Sequence, residues 1–181
     1  MKCLVCNSEA IFEKVIEENL RVKECKDCGG QWVPSSQYYS WLEKHGPILP
    51  ELQYSDITYE VIDSQNAKIC PECGRILLRF KVGHGLQFTL DHCGNCNGVW
   101  FDKNEWKTLV SRNLHDELPR LFSTEWQKHI RKEERIKYYE EVYNSKFGGE
   151  YKRIKDFKQW LDEQALKPTI LAFLSDPNPY E

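Results

Sequence analysis

Apolar and polar residues alternate with a period of two in two separate parts of the chain, and each part predicts a β-hairpin. Ile76, Leu78, Phe80 and Val82 alternate, Gly83-His84-Gly85 interrupts, and Leu86, Phe88 and Leu90 resume the pattern. Earlier, residues 11–16 and 20–24 flank Glu17-Glu18-Asn19 in a shorter, more acidic hairpin. A helical period follows each hairpin: Tyr38, Trp41 and Leu42 share one face, as do Trp106, Leu109 and Val110. These predict helices over 35–44 and 103–112, the second opening with Asp102 as N-cap and Glu105 closing a capping box. In the connector, Ile57, Tyr59 and Val61 alternate and suggest one more strand. Beyond Pro119, residues 120–144 read as a charged helix ended by Phe147-Gly148-Gly149. Residues 150–166 read as a second helix, with Ile154, Phe157, Trp160, Leu161 and Ala165 on one face. Pro168 is expected to stop it and leave a loose tail.

Cysteine spacing turns this outline into chemistry. All eight cysteines fall in C-x-x-C pairs: Cys3/Cys6, Cys25/Cys28, Cys70/Cys73 and Cys93/Cys96. Each hairpin is bracketed by two pairs, as a tetrahedral metal requires of four soft ligands delivered from two tight loops. The residue after each pair is Asn7, Gly29, Gly74 or Asn97, the types that enter the left-handed region at least cost. Knuckle, hairpin, knuckle is a zinc ribbon. The pattern occurs twice, offset by 67 residues at the first knuckle and 68 afterwards, which marks an internal duplication. A two-stranded hairpin is marginal alone, so metal would supply much of each unit's folding free energy. Four disulfides fit neither the spacing nor a reducing compartment, and a thioredoxin-like role lacks its βαβ context. Iron in rubredoxin-like sites is the alternative to zinc.

Cys-x-x-Cys, a hairpin, Cys-x-x-Cys-Gly-Gly-x-Trp and a short helix opening with Asp and Glu together resemble the TFIIB-type zinc-ribbon family of bacterial proteins. The second copy, from "CPECG" to "CNGVWFDKNEWKTL", is the closer. The first lacks the knuckle proline and has Pro34 and Gln37 in place of Asp and Glu. The resemblance implies structural zinc, with two ions expected, one on Cys3, Cys6, Cys25 and Cys28, the other on Cys70, Cys73, Cys93 and Cys96. A shared ribbon does not carry a shared job.

Trp32 and Trp100, each four residues past a knuckle, are expected to pack between hairpin and helix. His84 and His92 are expected at a turn and a strand edge, since four thiolates already complete each site. The formal charge is −3, from 25 basic and 28 acidic residues, and each four-thiolate zinc site would add two more negative charges. The second ribbon holds six basic and four acidic residues, and residues 128–158 hold ten and six. That is a weak footprint for phosphate binding. A four-cysteine zinc has no open position for water, and no nucleophile elbow, P-loop, dinucleotide fingerprint or H-E-x-x-H appears, so no enzyme is expected. No apolar run approaches a membrane span, the longest being residues 170–174. No signal-like segment follows Met1. A cytoplasmic protein is expected.

The fold class is therefore small α+β: a first zinc ribbon over 1–46, a connector over 47–69, a second ribbon over 70–115 and a helical region over 116–181. The expected role is a non-catalytic zinc-binding adaptor or complex subunit. Its protein partner is placed on residues 120–166, rich in Phe122, Trp126, Tyr138, Tyr139, Tyr143, Phe157 and Trp160. A nucleic-acid or transcription-associated module is second, and an iron electron carrier third. The two ribbons are expected to pack through helices 35–44 and 103–112.

Overall fold

The computed structural model describes residues 1–45, 49–52 and 58–180. The fold is α+β, with two four-cysteine groups and a helical C-terminal part. Both hairpins form where alternation places them: β1 (Ile11–Ile16) with β2 (Leu20–Cys25), and β4 (Leu78–Gly83) with β5 (Leu86–His92). Each is extended by a short strand carrying the tryptophan, β3 (Gln31–Val33) and β6 (Val99–Phe101). Those two strands pair with each other, Gln31 opposite Phe101, Trp32 opposite Trp100 and Val33 opposite Val99. The ribbons thus merge into one six-stranded antiparallel sheet of order β1-β2-β3-β6-β5-β4.

Strand alternation gives the sheet two buried faces. On one, Val22, Val33, Leu90 and Phe101 meet helix α1 (Ser35–His45) and helix α2 (Glu105–Ser111). The helices touch through Trp41 and Trp106, whose rings lie edge to face at 5.8 Å. The predicted helix contact is real, but the backbone continuity between ribbons comes from β3 and β6. On the other face lie the cysteines with Trp32, Trp100 and Leu77. The tryptophans therefore back onto the cysteine knuckles, not between hairpin and helix as expected, because period-two alternation turns them away from Val33 and Phe101.

Helix α2 begins two residues later than Asp102 predicts. Asn104, in the left-handed region at φ 68°, is its N-cap, and it caps nothing with its side chain. The capping box survives in one arm only, the Asp102 N–H donating to Glu105 Oε2 at 2.7 Å. The Asp102 carboxylate is committed elsewhere. In the connector, residues 58–69 form isolated bridges, Ile62 to Lys103 and Ile69 to Ile76, and no strand. Ile57, Gly46 and Pro47 lie outside the described residues.

The chain divides into two compact units, Met1–Arg131 and the residues from Lys132 onward. The first reaches further than the ribbon motif because α3 (Leu118–Leu121) and the start of α4 (Thr124–Phe147) add Leu118, Leu121, Trp126 and Ile130 to the sheet's core. Ser123 separates these helices, its Oγ accepting the Trp126 N–H at 3.2 Å. The second unit holds the rest of α4, a single 3₁₀ turn over Gly148–Glu150, α5 (Tyr151–Asp162) and α6 (Lys167–Ser175). The last is a correction: Pro168 opens a helix rather than ending one, since the missing N–H costs nothing in a first turn.

Candidate metal centres

Four knuckles repeat one backbone design. In each, the residue after the second cysteine donates its N–H to the carbonyl of the first: Asn7 to Cys3 at 3.2 Å, Gly29 to Cys25 at 2.9 Å, Gly74 to Cys70 at 3.0 Å and Asn97 to Cys93 at 2.9 Å. These four residues sit at φ 58°, 74°, 72° and 57°, the left-handed turn that their types predict. The N–H of the first cysteine then donates one residue further on, as Cys93 does to Gly98 at 2.9 Å. Two loops so closed point two thiols each at a common centre.

The sulfurs converge accordingly. Cys3 and Cys28 stand 3.4 Å apart and Cys6 and Cys25 3.6 Å apart; Cys70 and Cys96 are at 3.5 Å, Cys73 and Cys93 at 3.4 Å. Within each group every sulfur lies within 4.8 Å of the others. A zinc ion with Zn–S bonds of about 2.3 Å sets tetrahedral S···S edges near ~3.8 Å, whereas a disulfide needs about 2.0 Å. The spacing suits four thiolates around one cation. Cys3, Cys25, Cys70 and Cys93 are buried, and Cys6 and Cys73 face solvent.

Thiol acidity differs within each group. Burial opposes ionisation of Cys93, but N–H groups of Cys96 and Asn95 with neighbouring thiols outweigh it and bring the pKa to about 7. Cys25 is lowered in the same way despite burial, chiefly by the N–H groups of Cys28 and Asp27. Burial raises Cys3, Cys28, Cys70 and Cys96. Each group thus holds one thiol whose ionised form the knuckle N–H groups favour.

The two centres share a wall. Trp32 and Trp100 are wholly buried, and each lies over a glycine of the other ribbon. A Cβ on Gly98 would stand 2.2 Å from the Trp32 ring, and one on Gly30 would stand 2.4 Å from Trp100. Glycine is needed there for close approach. The indole N–H groups part company: Trp100 donates to Asp102 in its own ribbon at 2.7 Å, while Trp32 crosses to Glu72, inside the second ribbon's first knuckle, at 3.1 Å. Pro34 stands where Asp102 would, so Trp32 has no acceptor at home.

Around Trp100 lies a buried ionic network that motif reasoning missed. Lys68, its side chain fully buried, donates to Asp91 at 2.6 Å and to Asp102 at 3.3 Å. The Ser64 N–H also reaches Asp102, at 2.6 Å. Arg79 holds Asp63 at 2.7 Å. Burial raises the Asp91 pKa against the pull of Lys68. Burial also pushes Glu105 up to about 9, and Glu105 Oε1 has no hydrogen-bond partner among the described residues. Asp63, Asp102 and Glu105 come together, but Arg79 already pairs with Asp63 and Lys68 with Asp102. An acid at an inward strand position beside a tryptophan was the only sequence signal. Nothing in the spacing marks Lys68 as its partner.

His84 lies in the hairpin turn at φ 52°, stacked on Trp126 at 4.5 Å with Nδ1 2.8 Å from Glu51. His92, ending β5, stacks on Phe122 at 4.3 Å. Neither joins a cysteine group.

Residues 69–112 match the TFIIB-type zinc-ribbon family, described as a transcription factor zinc finger. That match covers the second ribbon. No curated protein and no solved structure shows significant similarity to the chain.

Proposed function

We propose that this protein is a non-catalytic zinc-binding adaptor, with one structural zinc in each ribbon and its partner surface on the C-terminal helices. Four thiolates per centre leave no coordination position for water or substrate, and zinc there would supply folding free energy. The observation that carries the partner assignment is exposure. Tyr138, Tyr139, Tyr143, Phe157, Trp160 and Phe173 are between 43% and 61% exposed, and Leu161 is the one large apolar side chain buried among the described residues from 132 to 180. Helices with this many open aromatics present the kind of anchor that dominates interfaces. Trp126 and Phe122 leave that surface, since they pack in or against the sheet's core. The proposed site therefore runs from residue 132, and α6 extends it with Leu171, Phe173 and Leu174.

Truncation after Arg131 tests this. The shortened protein should stay folded and zinc-loaded yet lose the partner that the intact chain retains in a nuclease-treated pull-down. Retention of the partner by the truncated chain contradicts the assignment.

The family's description as a transcription factor zinc finger favours a second reading, a nucleic-acid module. Lys128, Arg131, Lys132 and Arg135 are exposed, but Lys152, Arg153, Lys155 and Lys158 are paired with Asp156, Glu150, Glu140 and Asp162. Submicromolar binding to DNA or RNA that weakens steeply with salt would select the second reading.

A further inference from the structure

In the second ribbon the chain fills its own groove. Residues 60–68 lie along β4, β5 and the start of α2: Asp63 on Arg79 at 2.7 Å and on Thr89 at 3.3 Å, Lys68 on Asp91 and Asp102, and the Glu60 carbonyl on Asn104 at 2.9 Å. The register of the two hairpins identifies the matching positions in the first ribbon. Lys23 faces Trp32 as Asp91 faces Trp100, and Glu13 faces Lys23 as Arg79 faces Asp91. Arg21, Pro34, Ser36 and Gln37 then stand for Thr89, Asp102, Asn104 and Glu105. These same six residues, Glu13, Arg21, Lys23, Pro34, Ser36 and Gln37, line an open groove of about 290 Å³ together with Val22 and with Glu72, whose carboxylate is held by the Trp32 indole N–H. Among the described residues neither Arg21 nor Lys23 has an ion-pair partner.

Its polarity is reversed. Where the second ribbon has Arg79 the first has Glu13, and where it has Asp91 the first has Lys23, with Arg21 adding a second cation. A segment seated as residues 60–68 are seated would need a cation in the place of Asp63 and a carboxylate in the place of Lys68. The exposed Ser36 hydroxyl is placed to donate to a backbone carbonyl as Asn104 does to Glu60. The chain's own connector from a second copy is disfavoured, since Asp63 would face Glu13 and Lys68 would face Lys23.

We propose that the groove of the first ribbon docks an extended peptide of a partner protein, one carrying a cationic side chain followed five residues later by a carboxylate. This surface is distinct from the C-terminal helices and stands or falls separately from them. Backbone contacts along the groove supply generic affinity and the reversed charge pair supplies selection.

Two synthetic peptides decide it on the full-length, zinc-loaded protein. One carries residues 60–69 as they stand; the other has the same sequence with Asp63→Lys and Lys68→Glu. The charge-swapped peptide should bind and shift the amide resonances of Arg21, Lys23 and Ser36, and the unaltered peptide should bind at least about ten-fold more weakly. Lys23→Glu in the protein should weaken the swapped peptide by about ten-fold with zinc content unchanged. Lys23→Gln gives the same reading by a smaller loss if the first variant folds poorly. The proposal is overturned if neither peptide binds, if the unaltered peptide binds equally well and so marks exchange of connectors between copies, or if both Lys23 variants leave binding intact.

Discussion

In the second ribbon Asp102 and Glu105 are buried at the helix start, tied to Lys68, Asp91, Trp100 and the connector. In the first, Pro34 and Gln37 hold those places and Trp32 must reach into the other ribbon for an acceptor. The knuckles, by contrast, agree bond for bond across both copies. Positions that shape four thiols around a centre tolerate only Gly or Asn, because the turn demands a left-handed residue. Positions that merely finish the ribbon's edge can exchange an ionic network for an open groove, because either solution keeps Trp32 or Trp100 buried. The second ribbon is the more self-contained, and the first leans on it.

Metal removal should break that contrast most severely. Chelation should unfold both ribbons, since structural zinc in small fingers contributes about 10–16 kcal/mol apparent at neutral pH. Cys73→Ser should disturb both centres, because the Trp32 indole N–H takes its acceptor from Glu72, inside the second ribbon's first knuckle. Zinc retention under a chelator challenge checks this, and Cys6→Ser should leave more of the second centre loaded.

Lys68→Ala sharpens the contrast at the network. It strands Asp91 and Asp102 in a buried site and should cost about 3–5 kcal/mol. Lys23→Ala, at the position matching Asp91, should stay within about 0.5 kcal/mol. Paired denaturant titrations in excess zinc measure both.

Gly30→Ala and Gly98→Ala probe what the ribbons share. Each drives a methyl into the facing indole and should destabilise by about 1–3 kcal/mol, by similar amounts in the two copies.

Most of the sheet was legible because period-two alternation and short polar or Gly-rich turns are local signals. The cysteine groups were legible because a tetrahedral ligand set imposes its own spacing. Trp32 and Trp100 were assigned to the wrong face because both sheet faces are buried, and their alternation with Val33 and Phe101 cannot say which one carries the cysteines. The pairing of β3 with β6 was invisible for a related reason: three-residue strands carry almost no periodicity. Lys68 was hidden because its partners are 23 and 34 residues away. Helix α6 was missed because a proline at a first turn and a proline at a helix end read alike.

Glu105 offers a signed effect. Its folded pKa of about 9 lies above its ordinary 4.5, so the folded state holds the proton more tightly. That stabilisation is complete below pH 4.5 and is lost as pH rises through 9. Glu105→Gln keeps the shape and removes the titration, so its stability should fall less between roughly pH 6 and 8.5 than that of the parent protein. The first ribbon already has Gln37 at the matching position and should show no such dependence.

Native mass spectrometry of the full-length protein tests the central claim most directly. Two zinc ions per chain are predicted, one lost with Cys6→Ser and both destabilised with Cys73→Ser. A single zinc, or iron in protein grown without excess zinc, would contradict the account.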